Sequence, residues 1–165
     1  MDLRVKIQPK EIFIYSMYNF WAGMRGIGSI ILTVLVIIAA AASEERLGTQ
    51  VTNLVILGVI ALTGFQIFAI WKQAERTAGD AKTGAEIVFH IGDEGIRTRQ
   101  ANSKGEISWD KLVKVKKIAG IYVLYLGRDK AYLMPKRVFR GSEEQIFLSM
   151  LTRNLPQEKR RGIRA

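Results

Sequence analysis

The 165-residue chain contains no cysteine, only three prolines and a single histidine, His90. Without cysteine there is no disulfide, no thiolate metal ligand and no cysteine nucleophile. One histidine leaves no ligand spacing typical of a zinc site. His90 lies between Phe89 and Ile91 in a predicted strand, which favours a core or surface histidine over a general base.

Other catalytic patterns are missing as well. Asp93 and Glu94 are adjacent in a segment flanked by glycines, and turn chemistry accounts for them better than a pair of catalytic carboxylates. No G-x-x-x-x-G-K phosphate loop occurs among the 15 glycines. The sequence therefore predicts a protein that is not an enzyme and that has no catalytic residues, bound metal or cofactor.

Charge is absent from two long apolar runs, residues 26–42 and 51–71. At the helical rise they are about 26 Å and 31 Å long, close to the thickness of about 30 Å of a hydrocarbon core. Trp71 followed by Lys72 is typical of a membrane interface. Because only residues 43–50 connect the runs, the sequence predicts a transmembrane helical hairpin over residues 26–72.

A soluble helix pair and a cleaved signal peptide fit the apolar runs less well. Two buried helices of a soluble protein would need a large covering layer, and the rest of the chain is too polar to provide one. A cleaved signal peptide is suggested by Ala40 and Ala42 before Ser43. However, the 25 residues before the first run are too long and too aromatic for such a peptide.

The charges flanking the runs predict the orientation. Residues 1–25 carry a net charge of +2, residues 43–50 carry −1 and residues 72–165 carry +9. We therefore expect a multi-pass protein of the cytoplasmic (inner) membrane, with both termini in the cytoplasm and the connecting loop outside.

Small residues follow one face of each predicted span, which favours close helix packing in lipid. These residues are Ala22, Gly26, Ser29 and Thr33 in the first helix, and Gly58 and Ala61 in the second, with Gly64 three residues further on. Packing within the hairpin is favoured over homo-oligomerisation. No ionisable residue lies within either run, so a proton pathway is not expected.

Outside the runs, the chain predicts a small β domain. Residues 73–85 are a linker or an extension of the second helix, and residues 86–155 show short alternating segments separated by turns. Ser142 and Gln145 predict a capped C-terminal helix. The order of these elements is typical of a pleckstrin-homology-like half barrel, so the predicted fold class is an α+β membrane protein.

The two ends of the chain complete this domain plan. In residues 1–25, residues 3–8 predict an additional strand that pairs with the sheet, and residues 10–21 predict an interfacial helix after Pro9. Residues 156–165 form a basic tail with one large apolar side chain, Ile163. We predict that this tail is disordered.

Several short motifs together resemble a known family. They are the turn Asp93-Glu94-Gly95-Ile96, the segment Ile107–Leu112 with Trp109, the segment Tyr132–Phe139 and the helix start Ser142-Glu143-Glu144. With two preceding spans, the chain resembles the YcxB-like family of small bacterial membrane proteins. The resemblance covers essentially the whole chain and implies the same architecture. It implies no catalytic residues.

Basic residues provide the main functional signal. They form three clusters: Lys111, Lys114, Lys116 and Lys117; then Lys136, Arg137 and Arg140; and, in the tail, Lys159, Arg160, Arg161 and Arg164. The residues predicted to contact a lipid or a partner are Lys114, Lys116, Lys117, Lys136, Arg137 and Arg140. Setting the topology and solvating the domain are the favoured roles of these cations, and the alternative is docking to the anionic cytoplasmic leaflet, which attracts them. Nucleic acid is not expected as a partner, since the tyrosines are read more simply as strand packing than as base-stacking residues.

Two functions remain open. The first is a membrane-tethered module that binds a protein, a peptide or an anionic lipid headgroup. The second is an accessory or regulatory subunit of a larger membrane complex, such as a transporter, in which the hairpin provides the contact. In the second case the partner is a membrane protein or another copy of the chain.

Overall fold

The computed structural model describes residues 1–80, 84–100, 103–127 and 130–163. Contacts divide the chain into two compact units. A helical unit comprises Tyr15–Glu75, and a unit that we call the β domain comprises Met1–Ile14 with Arg76–Ala165. The predicted α+β class is confirmed. Of the predicted linker and tail, residues 81–83 and 164–165 lie outside the described ranges.

Four helices occupy the first half of the chain. They are α1 (Pro9–Ala22), α2 (Met24–Ala42), the single-turn α3 (Glu44–Leu47) and α4 (Thr49–Gly79). Helix α4 is long and apolar enough to cross a membrane, and none of its most apolar 18-residue window is buried. Helix α1 and residues 26–42 meet the same criteria only as a bent pair.

The helix that carries the first predicted face of small residues is interrupted at Gly23, before the predicted span of residues 26–42. This residue has an extended backbone (φ −88°, ψ 164°) and separates α1 from α2. A Cβ atom at Gly26 would lie only 2.2 Å from the Phe20 carbonyl oxygen, so only glycine fits beside the end of α1. Ala22 therefore closes α1, whereas the other small residues of the predicted face lie on α2: Gly26, Ser29 and Thr33.

The first sheet includes the predicted N-terminal strand. Its strands are all antiparallel and follow the order β1 (Asp2–Val5), β2 (Ile87–Ile91), β3 (Gly95–Gln100) and β4 (Ser103–Ser108). Leu3 lies opposite Phe89, and both are buried. Alternate residues of β2 are buried in the order expected for a half-buried strand.

The second sheet has the order β7 (Ala131–Pro135), β6 (Ile121–Tyr125), β5 (Lys114–Ile118) and β8 (Arg160–Arg161). Strand β8 is parallel to β5 and the other pairs are antiparallel. The prediction of a disordered tail is therefore wrong for residues 157–161, where a 3-10 turn leads into β8. Backbone pairing orders this segment, and hydropathy does not reveal such pairing.

The predicted C-terminal helix is α5 (Glu143–Asn154). The Phe147 ring centroid lies 5.4 Å from that of Tyr122 and 5.2 Å from that of Phe139, so α5 packs on the second sheet. The predicted capping box does not form, because Ser142 has φ −84° and ψ 0° and makes no side-chain cap bond. The Glu143 carboxylate instead accepts a hydrogen bond from the backbone N–H of Arg140 at 2.7 Å.

Candidate functional site

The six cations predicted to contact a ligand do not form one surface. Lys114, Lys116 and Lys117 lie on β5, Lys136 and Arg137 lie in a 3-10 turn after β7, and Arg140 precedes α5. Because successive strand side chains alternate between faces, Lys117 points away from Lys114 and Lys116. The structure assigns these cations to different contacts.

Two of the lysines meet at one carboxylate. Glu144, near the start of α5, lies 3.1 Å from the Nζ atom of Lys136 and 3.4 Å from that of Lys117. The Tyr122 hydroxyl donates a hydrogen bond to the Oε1 atom of Glu144 at 2.6 Å. Lys117 lies directly opposite Tyr122 in the sheet and 5.0 Å from the centre of its ring. Glu144 therefore joins α5 to both β5 and the turn after β7.

This cluster shifts the protonation equilibria of its members. The hydrogen bond from Tyr122, together with Lys136 and Lys117, lowers the pKa of Glu144 from its usual range. Burial and the hydrogen bond to Glu144 raise the pKa of Tyr122. Hydrogen bonding with Tyr122 and the Glu144 charge raise the pKa of Lys117. The ionised carboxylate, the neutral phenol and the charged lysine stabilise one another.

Arg137 connects the N-terminal segment to the rest of the β domain through hydrogen bonds. Its Nε atom donates to the Glu11 carboxylate at 2.6 Å, and its Nη2 atom donates to the other carboxylate oxygen at 3.1 Å. Nη2 also donates to the Lys6 carbonyl oxygen at 2.6 Å. The Glu11 side chain is only 9% exposed. A charged fork on a buried carboxylate is a structural contact. The role of Arg137 in ligand contact stays a prediction.

The remaining three predicted cations have different surroundings. The Nζ atom of Lys114 lies 4.7 Å from the centre of the Tyr125 ring, which is a cation–π contact. Lys116 is half-buried on the same face of β5. Arg140 is exposed. The predicted set is therefore divided among structural ion pairs, a ring contact and a solvent-facing arginine.

The outer face of the first sheet carries a basic row that sequence reasoning missed. The strand register aligns Arg4 with Val88, Val88 with Arg99, and Arg99 with Lys104. We call these residues the sheet row. Within the described part of the chain, none of its three cations pairs with a carboxylate.

The neighbouring row on the same face, Asp2, His90, Arg97 and Glu106, contains carboxylates of its own. His90 lies against the Asp2 carboxylate. Arg97 lies 3.2 Å from Glu106 and 3.5 Å from Glu94. Residues of both rows line a groove of about 580 Å³ on this face.

Sequence and fold reveal different parts of the sheet row. Alternation in Ile96-Arg97-Thr98-Arg99 already places both arginines on one face of β3. Only the strand pairing reveals that Arg4 and Lys104 lie in the same row as Arg99.

The comparisons with known proteins give one positive finding. Residues 91–151 match the family model described as YcxB-like protein, which confirms the resemblance over that segment. It covers β3 to β7 and most of α5. Neither the curated proteins nor the solved structures gave a match.

Replacing Glu144 with glutamine tests the cluster around this carboxylate. Because its pKa is lowered in the folded chain, the stability that its charge adds is present above the ordinary value of 4.5. This stability is lost as the pH falls through the lowered value. We expect Glu144→Gln to unfold at a lower temperature than the parent at pH 7, and the difference to shrink below pH 4.5. Thermal unfolding of the detergent-solubilised chain over a pH series measures this.

The matched control is Glu86→Gln, since Glu86 is exposed and pairs with no described residue. Its unfolding temperature should follow that of the parent at every pH. A constant difference between Glu144→Gln and the parent across the pH range would show that charge is not the source of the stabilisation.

Replacing Arg137 with glutamine tests its structural role. The change leaves the buried Glu11 carboxylate without its charged partner, so we expect a loss of about 1–3 kcal/mol in unfolding free energy. Arg140→Gln removes the same charge without disturbing a buried carboxylate and should cost much less. In denaturant unfolding, Glu11→Gln combined with Arg137→Gln should cost less than the sum of the single changes. Equal costs for Arg137→Gln and Arg140→Gln would contradict the assignment.

Proposed function

Since residues 91–151 match the YcxB-like family, we propose that the chain is a two-span protein of the cytoplasmic (inner) membrane. Both termini lie in the cytoplasm, and the β domain is a non-enzymatic binding module with the form of a pleckstrin-homology-like half barrel. The module binds its ligand at the membrane surface.

The pairing of β1 with β2 supports this proposal most directly. Val5 lies opposite Ile87, so these two residues occupy the same side of any membrane. The chain between them must then cross the membrane an even number of times. If α4, with its exposed apolar window, crosses once, a second crossing has to come from the segment before it.

Helix α2 is the segment that fits the second crossing. It has 19 residues, which corresponds to about 28 Å at the helical rise. Residues 26–42 carry no charge. Leu32 is 63% exposed and Ile38 is 58% exposed, as expected of side chains that face lipid. The connection through α3 and Gly48 is too short for a further crossing.

Electrostatics supports the orientation and the binding role. The connecting loop carries a net charge of −1, whereas the segment after the second run carries +9, and cytoplasmic segments are enriched in lysine and arginine. Each cation held near an anionic leaflet contributes about 1 kcal/mol of attraction. A basic domain tethered at that leaflet is suited to an anionic ligand there.

The topology has a direct test. Reporter fusions after Gln8, within residues 43–50 and after residue 165 should report inside, outside and inside. The chain should also stay with the membrane during alkaline carbonate extraction, because two apolar spans hold it. Moving three lysines into the loop provides a control, since it should weaken the preference for this orientation. An external C-terminal reporter, or release by carbonate, would contradict the proposal.

A second candidate function is an accessory subunit of a larger membrane complex. Its support is the open surface of α4 at the predicted packing residues, since a Cβ atom at Gly58 or at Gly64 would meet nothing within 4 Å. Ala61 on the same helix is also exposed. Small residues without a neighbour allow another helix to approach closely, and the tight surroundings of Gly26 exclude that residue from such a role.

The double change Gly58→Leu and Ala61→Leu tests this alternative. Added bulk should separate the chain from a partner helix, so the size of the complex recovered from native membranes in mild detergent should fall. The control is Thr63→Leu, on the opposite side of α4 at about 100° per residue, which should leave the complex unchanged. An unchanged complex with the double change would rule out this surface as the contact.

A further inference from the structure

The sheet row, which consists of Arg4, Val88, Arg99 and Lys104, has the geometry of an anion-binding surface. Adjacent strands lie about 4.8 Å apart, so a row across four strands is roughly 14 Å long. All three cations are exposed. Val88, Arg99 and Lys104 line the groove of about 580 Å³ together with residues of the neighbouring row.

The arrangement of charge within the row is unfavourable unless an anion is bound. Arg99 and Lys104 lie directly opposite each other on β3 and β4, and like charges in that position destabilise a sheet. The carboxylates of the same face are used elsewhere, since Asp2 lies against His90 and both Glu106 and Glu94 lie near Arg97. A bound anion would relieve the repulsion between the two cations.

We propose that the sheet row binds the phosphate groups of anionic phospholipids. This inference rests on the proposed membrane location. The Arg99 guanidinium and the Lys104 ammonium act on one phosphate, because the guanidinium presents a planar fork of donors and the ammonium a compact charge. Arg4, two strands away from Arg99, contacts a neighbouring headgroup.

The position of Arg4 in the chain favours a lipid over other anions. Arg4 precedes the first residue of α1, Pro9, by five residues, so the two lie at most about 18 Å apart. If α1 lies at the interface, as the sequence predicts, Arg4 is held close to the headgroups. A single-stranded nucleic acid fits less well, because these binders stack bases on aromatic side chains, and no phenylalanine, tyrosine or tryptophan lines this groove.

The test measures the reactivity of Lys104 in the full chain. The protein is placed in nanodiscs of phosphatidylcholine, with or without phosphatidylglycerol, and mass spectrometry follows acylation of its lysines. We expect phosphatidylglycerol to slow the acylation of Lys104 about fivefold, which corresponds to about 1 kcal/mol for one cation. Lys111 and Lys130, both exposed, provide internal references and should react at nearly unchanged rates.

A matched pair of variants keeps Lys104 as the reporter. Arg99→Gln removes the neighbouring cation and should abolish most of the protection of Lys104 by phosphatidylglycerol. Arg140→Gln removes the same charge at an exposed position outside the row and should preserve the protection. In phosphatidylcholine alone, Lys111 and Lys130 should react equally in the parent and both variants, which checks that the fold is intact.

Several results would overturn this assignment. Equal protection of Lys104, Lys111 and Lys130 would indicate general attraction to the bilayer. Protection by inorganic phosphate or by polyglutamate in phosphatidylcholine discs, with no effect of phosphatidylglycerol, would indicate a soluble anion or an acidic protein. No protection under any condition would leave the row without a ligand role while the topology could still hold. Failure of the chain to enter nanodiscs would overturn the proposed function as well.

Discussion

The antiparallel pairing of β1 with β2 is the constraint on which the rest of the structure depends. It places the N-terminal strand inside a domain whose other strands begin at Ile87. The contact between Arg137 and Glu11 adds a second, side-chain connection. Between these strands the chain leaves the β domain after Ile14 and returns to it at Arg76. Any membrane crossings between these strands must therefore be even in number.

The excess of positive charge limits how many cations the fold can pair with a carboxylate. With 25 lysines and arginines against 15 aspartates and glutamates, at least ten cations lack a carboxylate of their own. The structure places two well-shielded carboxylates, Glu11 and Glu144, where they connect separate elements. The Glu144 carboxylate forms ion pairs with two lysines and accepts a hydrogen bond from a tyrosine. Arg4, Arg99 and Lys104 are exposed and pair with no carboxylate among the described residues, and the sheet row arranges them regularly.

Much of the fold follows from local patterns in the sequence. Alternation in Ile87–Ile91 predicts a half-buried strand, uncharged runs predict long apolar helices, and the apolar face with Phe147 predicts α5. Contacts between distant residues do not follow from such patterns. Glu11 and Arg137 are 126 residues apart, and neither has a local signal for a partner. The glycine requirement at Gly26 and the β5–β8 pairing likewise arise only from the folded backbone.

Cations that are neighbours in the sequence are easier to find than cations that only the fold brings together. Clusters along the sequence, such as Lys136 and Arg137, are visible at once, yet the fold uses both as structural contacts. Arg4 and Lys104 stand far apart in the chain, and only strand register brings them into one row. Neighbouring cations in the sequence show where charge is concentrated. A binding surface also requires that these cations make no structural contact in the fold.

The same N-terminal pairing also orders the events of biosynthesis. About 80 residues separate Val5 from Ile87, so a large loop must close before β1 has a partner. During translation β1 is made before β2, so it has no pairing partner until both apolar segments and β2 have been made. If those segments enter the bilayer as they emerge, membrane insertion comes before folding of the β domain. Strand β1 is then made before the membrane segments but pairs only after they have been inserted.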